Sequence, residues 1–583
     1  MWKEVAVLLR LCLTLSFDNW QLSHQFLPEI MYIISTTAAC GPAVIRSSTH
    51  AFLVNTVQSL VGHFPLLLYN RQKLEAILND LSTMKYTLLF GLTGSTPDTA
   101  FSASANSAND AVDALSISGL ETIVSLLIEI MELSTSIGRP HYKSFSDLDQ
   151  SNAWRSRWMS LATAGAFRGN PAIQPRLLVT LGCLADSEVD DALLYQLVNA
   201  LRNTLDGQPF RDGNEMVLNS LIFACTKLVG ARLTPGYSGP ESAYLTELFW
   251  LAVAVLEIAE GSTYPLSVTF LEVCLKTLSI SDVLACQHLP AFLLQARKGL
   301  EPSATSLDEI IGINFSRSFS FSLAALLAKG MKSQGSRECV RSAARVLLDL
   351  SSKHRITVHE PPNGLEAVKP TISFEVLPYL AILIPIMDNN DELVDYLNLA
   401  GLHGDEFRKI PLSKVWKKLF SDGSVEEMLD NETSLLLLSL TGTILASTDR
   451  EKELLLLYSF FDEAAPNTRS TFPYVYVSDS GKRLIARYEE MIPKMAVTIT
   501  DSLNMPLLQT IESIVCTATS DPEFGADGVA NYTQAKFLEE LGFSILMKGG
   551  LESMTREERV KAVQVAGEVA ESVMTVWRGS AAS

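Results

Sequence analysis

The histidines and cysteines of this chain are the residues that could act in catalysis or bind a metal, and their spacing argues against both roles. His359 and Glu360 are adjacent, but two prolines follow at once, so this pair cannot lie on a metal-binding helix. Cys286 and His288 are two residues apart, whereas a closed zinc site needs four ligands and no second pair stands nearby. We therefore predict no metal site and no cofactor.

Catalytic sequence motifs are also absent. The chain has no G-x-x-x-x-G-K-S/T phosphate loop, no G-x-G-x-x-G, no H-E-x-x-H and no G-x-S-x-G. We assign no catalytic residue and expect a chain that is not an enzyme. An enzyme with an unrecognised site is the third of three hypotheses, after the two given at the end of this section.

The eight cysteines indicate a reducing compartment. None forms a C-x-x-C pair, and most lie within apolar helical runs, as Cys225 does. We interpret them as reduced, buried thiols of a cytoplasmic protein. The apolar stretch after Lys3 resembles a signal peptide, but Glu4 and Arg10 interrupt it, so we predict an amphipathic first helix instead.

Charge and composition exclude several further classes of protein. The formal net charge of −19 makes nucleic acid an unlikely partner, since phosphate binding needs a basic face. No apolar run reaches the ~18 residues of a membrane span. Five basic residues are interleaved with apolar ones, which predicts an amphipathic helix with a solvated basic face; a nuclear address or an acidic lipid surface is the alternative. These are Arg408, Lys409, Lys414, Lys417 and Lys418.

Helical periodicity is the dominant pattern. In 337–353, Val340, Ala344 and Leu347 fall on one face of a helix. Cys40-Gly41-Pro42 predicts a compact turn, because glycine fits the position after a helix and proline fits the first turn of the next. The 583 residues exceed one ordinary domain, and about two dozen such helices predict an all-α fold. We expect an α-solenoid of stacked antiparallel helix pairs (HEAT/armadillo-like) with a smaller C-terminal helical bundle.

Three aromatic or histidine features have two interpretations each. The stripe of Trp154 and Trp158 indicates core packing, with a partner's docking site as the alternative. Phe315 and Phe319 predict a loop whose aromatic rings pack on the next helix, rather than a single-stranded nucleic-acid surface. His50 is interpreted as a capping or packing histidine, with a proton switch as the alternative.

Changes in composition predict the domain boundaries. We expect N-terminal repeats over 1–93, a flexible loop over 94–118 and a central repeat array over 119–355. A linker over 356–370 and a helix over 371–387 follow, then a polar linker with short helices over 388–431 and a C-terminal bundle over 432–578.

A set of short motifs, in order along the chain, carries a family resemblance. The residues that we single out are Cys40, Gly41, Pro42, Arg46, His50, Trp158, Asn170, Pro171, Gln174, Pro175, Arg176, Phe249, Trp250, Asn314, Phe315 and Phe319. Together they resemble the C-terminal region of neurofibromin-type Ras GTPase-activating proteins, densely to about residue 385 and thinly beyond.

The resemblance implies a role, which we state as an expectation. The chain would be a non-catalytic scaffold and dimerisation arm, and Ras would be engaged only through a GTPase-activating (GAP) domain that this sequence lacks. A homodimer through helical repeats and peripheral membrane association of the full-length parent are implied in the same way. The second hypothesis is an independent HEAT/armadillo-type adaptor that binds proteins or peptides in a concave groove.

Overall fold

A computed structural model describes the chain in two compact units, Met1–Thr277 and Leu278–Ser583. The residues that it describes are 2–63, 66–92, 110–135, 145–168, 172–185, 191–206, 214–233, 244–280, 288–297, 315–358 and 371–421, together with 440, 444, 447, 448, 450, 452, 453, 456 and 457. Nineteen α-helices make up nearly all of the regular structure in these ranges. The expected all-α fold is confirmed.

The first unit contains thirteen α-helices in its described residues, and the last of them, α13, runs a few residues past Thr277. They are α1 (Trp2–Ser16), α2 (Trp20–Gln25), α3 (Leu27–Thr37), α4 (Ala43–His63), α5 (Leu68–Asp80), α6 (Met84–Leu89), α7 (Asp110–Leu133), α8 (Phe145–Arg168), α9 (Gln174–Leu184), α10 (Asp191–Asp206), α11 (Asn214–Ala231), α12 (Leu245–Ile258) and α13 (Thr263–Ile280).

The helix α9 is the centre of the first unit. It packs against α3, α7, α8 and α11, and residues 176–182 are all buried. A helix that contacts neighbours on every side must be apolar around most of its circumference, and α9 is. The core beside it runs through Leu27, Leu53, Val124 and Trp158. The high apolar content of the sequence is explained by helices of this kind.

The second unit has six described α-helices of its own. They are α14 (Leu289–Arg297), α15 (Phe315–Ala328), α16 (Gln334–Val358), α17 (Leu377–Ile386), α18 (Asn390–Leu399) and α19 (Val415–Ser421). Short 3-10 helices cover Lys329–Lys332, Gly404–Phe407 and Leu412–Lys414. All ten residues of α17 are buried, and α17 packs on α15, α16 and α18.

Several boundaries differ from those predicted. The α7 helix begins at Asp110, inside the predicted loop over 94–118. Phe315 and Phe319 lie in the first turns of α15, not in a loop, because the 315–328 sequence keeps a helical apolar stripe from its start. The division of the chain into two compact units falls after Thr277. Most of the predicted bundle over 432–578 lies outside the described residues.

The first helix is also less amphipathic than predicted. Its inner face buries Leu9, but Val7, Leu8, Leu11 and Leu15 are at least half exposed on the opposite side. No helix among the described residues is long and apolar enough to cross a membrane.

Candidate functional site: the junction of α3, α8 and α9

The turn after α3 is held in an unusual backbone conformation. Ala39 has φ +56° and Gly41 has φ +65°, so two left-handed residues stand within three positions. A Cβ atom on Gly41 would lie 2.8 Å from the indole ring of Trp2, which means that α1 packs directly on the glycine. Pro42 then opens α4, accepting a hydrogen bond from the Ile45 amide at 2.9 Å. Left-handed backbone carries a steric cost for alanine and none for glycine.

Arg176 caps the end of α3. Its Nη2 donates to the carbonyl oxygen of Ser35 at 3.2 Å and to that of Ala38. These carbonyls belong to the last turn, where intrahelical partners are lacking and the helix dipole is negative. Burial lowers the pKa of the Arg176 guanidinium, which nevertheless stays charged because an arginine does not lose its proton in a protein.

The first turn of α9 places Arg176 at this position. Gln174 and Pro175 open the helix, where a proline costs no hydrogen bond. On the neighbouring helix α8, a Cβ on Gly165 would lie 2.5 Å from Leu177 Cδ1 and 2.9 Å from the Tyr32 hydroxyl. Glycine therefore lets α3, α8 and α9 approach closely. We call the contact of these three helices the junction.

The other predicted residues of the first unit also serve the packing of this unit. Trp158 on α8 is fully buried, as the core interpretation of the tryptophan stripe requires, and Arg46 is buried in the first turn of α4. His50 Nε2 lies 3.0 Å from the carbonyl oxygen of Leu81, the residue after α5. The His50 ring also meets Phe90 edge-on, with ring centroids 5.1 Å apart. His50 thus contacts the C-terminal end of α5.

At the level of sequence, comparisons with known proteins give a distant match. The chain is similar to two yeast inhibitory regulator proteins. Inhibitory regulator protein IRA2 of Saccharomyces cerevisiae is 21% identical over 362 residues, which is 62% of this chain and 11% of the yeast protein. Inhibitory regulator protein IRA1 of the same yeast is 22% identical over 278 residues, 48% of this chain and 8% of that protein. The matched stretch is thus a small part of each relative, and no family model matches the chain.

The remaining predicted residues do not join the junction. Phe249 and Trp250 lie buried on α12, with ring centroids 5.3 Å apart. In the second unit, Phe315 is fully buried below the guanidinium of Arg297, 5.1 Å from its ring centroid, and packs edge-on against Phe319. Asn170, Pro171 and Asn314 lie outside the described residues.

The second unit repeats the capping device with residues that the sequence did not single out. Arg341 Nη2 donates to the carbonyl oxygen of Ile386, the last residue of α17, at 2.6 Å, and its Nη1 contacts Asp388 at 2.8 Å. Only 18% of the Arg341 side chain is exposed. The sequence carries no local signal for these contacts, because Ile386 and Asp388 are 45 and 47 residues away.

A buried ion pair completes the second unit's polar interior. Arg337 at the start of α16 pairs with Glu453 through both carboxylate oxygens, with the second bond at 3.0 Å, and donates to the Met331 carbonyl oxygen at 2.6 Å. Both side chains are 5% exposed. Thr448 also hydrogen-bonds to Glu453. Such a pair adds little net stability, since desolvation offsets much of the attraction, but loss of either partner would leave an uncompensated buried charge.

These arrangements position helices. Across the described residues, no set of three or more His, Cys, Asp or Glu is arranged to hold a metal ion. No disulfide joins the cysteines of the described residues. Burial raises the pKa of Cys225 and of Cys183 to about 12, which keeps both thiols protonated and poorly nucleophilic.

Proposed function

We propose that this chain is a non-catalytic scaffold and dimerisation arm of a neurofibromin-like Ras regulator. The match to the two yeast inhibitory regulator proteins is the observation that carries the proposal. It agrees with the family resemblance that the ordered motifs imply. The all-α fold supports the same role, because arrays of helix pairs serve mainly as extended binding surfaces.

The mechanism that we propose is geometric. Arginine caps hold the helix ends of each unit in fixed register, so that surfaces on the array keep a constant orientation. A rigid arm that self-associates would bring two GAP domains to one membrane site and raise their effective concentration for Ras. The GAP domain itself would come from elsewhere in the longer protein, and transcript sequencing across the Met1 codon tests for a frame that encodes one.

The decisive experiment on catalysis uses the purified chain alone. We expect single-turnover GTP hydrolysis by Ras to proceed at its intrinsic rate in the presence of micromolar chain. An arginine finger raises that rate by about 10³–10⁵, so even one part in a hundred of such an effect is measurable. A clear acceleration that survives further purification would refute the non-catalytic role.

A further inference from the structure

Exposed acidic and basic side chains follow each other closely along residues 391–417 of the second unit. The acidic side consists of Asp391, Asp395 and Asp405, and the basic side of Lys409, Lys414 and Lys417. All six side chains are exposed. Arg408 joins the two sides, with its Nε 3.7 Å from Asp391 and its Nη2 3.5 Å from Asp405. We call these seven residues the bipolar surface.

The backbone beneath the bipolar surface is fixed. Asn390 Nδ2 donates to the carbonyl oxygens of Arg408 and Ile410 at 3.1 and 3.3 Å, which ties the basic segment to the start of α18. The Gly404 amide donates to Asn398 Oδ1 at 2.9 Å, and a Cβ on Gly404 would meet the Val394 carbonyl oxygen.

Below the lysines, α19 is anchored by apolar burial. Val415, Trp416 and Leu419 are at most 1% exposed, and Lys414 and Lys417 project on the other side. The charges are thus presented on a rigid base, and a partner that binds them does not have to order the backbone first.

The three lysines of the bipolar surface form no ion pair among the described residues. Within the described residues, none of Lys409, Lys414 and Lys417 contacts a carboxylate, whereas Lys418 lies 3.8 Å from Glu406. On the acidic side, Asp395 likewise contacts no basic side chain in the described part of the chain. Both signs of charge are therefore available for a contact outside the chain.

We propose that the bipolar surface is the contact through which two copies of this chain pair about a two-fold axis. An isologous contact places residue i against residue j and residue j against residue i. The lysines of one copy would then meet the aspartates of the other, twice over. This inference rests on the proposed dimerisation role and names the surface that would perform it.

Charge complementarity favours a second copy over other occupants. An anionic membrane or a nucleic acid would attract the lysines but would be repelled by three exposed aspartates beside them. A purely basic partner would be attracted by the aspartates but repelled by the lysines. The net charge of −19 makes two copies repel over most of their surface, so pairing is favoured where a basic patch lies beside an acidic one.

The first test is the salt dependence of self-association, measured by sedimentation equilibrium on the whole chain. We expect a monomer–dimer equilibrium whose association constant falls at least about tenfold between 0.1 and 1 M NaCl, because the Debye length shrinks from about 10 to about 3 Å. A dimer whose association constant does not change with salt would refute the role of this surface but not dimerisation itself. A monomer at every salt concentration would overturn both.

The second test exchanges the charges. The variant Lys414→Glu/Lys417→Glu makes the surface predominantly acidic, with Arg408 and Lys409 as its remaining basic residues. The variant Asp395→Lys/Asp405→Lys makes it predominantly basic, with Asp391 as its remaining acidic residue. We expect each variant alone to self-associate at least about tenfold more weakly, since like charges then face each other. An equimolar mixture should form a heterodimer as tight as the wild-type dimer, because both contacts are again complementary.

Controls separate this outcome from misfolding and from other partners. Lys3→Glu/Lys85→Glu makes the same change in net charge on the first unit and should leave association unchanged. Circular dichroism and thermal transitions of all variants should match the wild type, since every substituted side chain is exposed. Failure of the mixture to recover association would overturn the proposal. So would wild-type binding to phosphatidylserine vesicles without self-association, which would point to a lipid surface instead.

Discussion

Replacement of Arg176 by methionine is the sharpest test of the junction. Methionine keeps an unbranched apolar stem of similar length, so packing along α9 is largely preserved while the donors to Ser35 and Ala38 are lost. The carbonyl groups at the end of α3 then lose a charged partner in a buried position.

The expected loss follows from the number of bonds. A hydrogen bond to a charged group contributes about 1.5–3 kcal/mol, so two of them give roughly 3–6 kcal/mol in the free energy of unfolding. For a unit of this size, that corresponds to a fall in Tm of roughly 6–24 °C. Arg176→Lys keeps the charge but offers a point donor in place of the planar fork, so we expect a loss between those of the wild type and the methionine variant.

The assay is urea denaturation followed by circular dichroism, with the effect confined to the transition of the first unit. Arg71→Met is the matched control, because Arg71 is half exposed and pairs with Glu75 within one helix at 3.2 Å. Its loss should be within about 0.5 kcal/mol. If Arg176→Met costs no more than Arg71→Met, the cap does not hold α3 and the reasoning about the junction is refuted.

Three further changes test other parts of the structure. Ala39→Gly should raise the free energy of unfolding by about 1 kcal/mol in denaturant titrations, because Ala39 has a positive φ that glycine adopts without steric cost. Gly41→Ala should lower it by more than that, because φ is positive there too and the added methyl group would meet the Trp2 ring. The hydrogen bond with Glu375 raises the pKa of His288, so its stabilisation is full below pH ~6.5 and is lost as pH rises through the folded-state pKa. Thermal melts at pH 6 and 8 should therefore differ less for Glu375→Gln than for the wild type. Cys225, buried and with its pKa raised to about 12, should resist alkylation at pH 8 until the first unit unfolds, which mass spectrometry of the labelled peptide would detect.

The fold class was predictable because an α-helix requires a periodic pattern of apolar residues that is visible in a short stretch of sequence. Apolar spacing, a Gly-Pro turn and the near absence of strand patterns are each visible in a window of about a dozen residues. The same local patterns predicted that His50 is a capping or packing residue and that Trp158 packs in the core. In the structure His50 lies against the Leu81 carbonyl oxygen and Trp158 is fully buried. Gly41 adopts a left-handed backbone conformation. Ala39, the residue directly after the C-cap of α3, does so as well, which its residue type would not suggest.

The polar contacts that set helix register were not predictable from local patterns. Arg176 lies 141 residues from Ser35, and Arg337 lies 116 residues from Glu453. Periodicity assigns a charged side chain to solvent, and only the tertiary arrangement shows that a neighbouring helix end is within reach. The one hint in the sequence was that Arg176 follows a Gln-Pro helix start, which fixes its position but not its partner.

The recurrence of one device in both units suggests why arginine is used at these ends. A helix that stops inside a packed array leaves carbonyl groups that water cannot reach, and each costs about 1–3 kcal/mol if left unpaired. A backbone amide in the following turn can hydrogen-bond only to carbonyl groups of its own helix. An arginine side chain reaches an adjacent helix, as Arg176 and Arg341 do, and its fixed charge complements the negative end of the dipole. Each cap therefore couples two helices that are distant in sequence. Such directional contacts add to the close packing of apolar side chains in holding the helices of each unit in register.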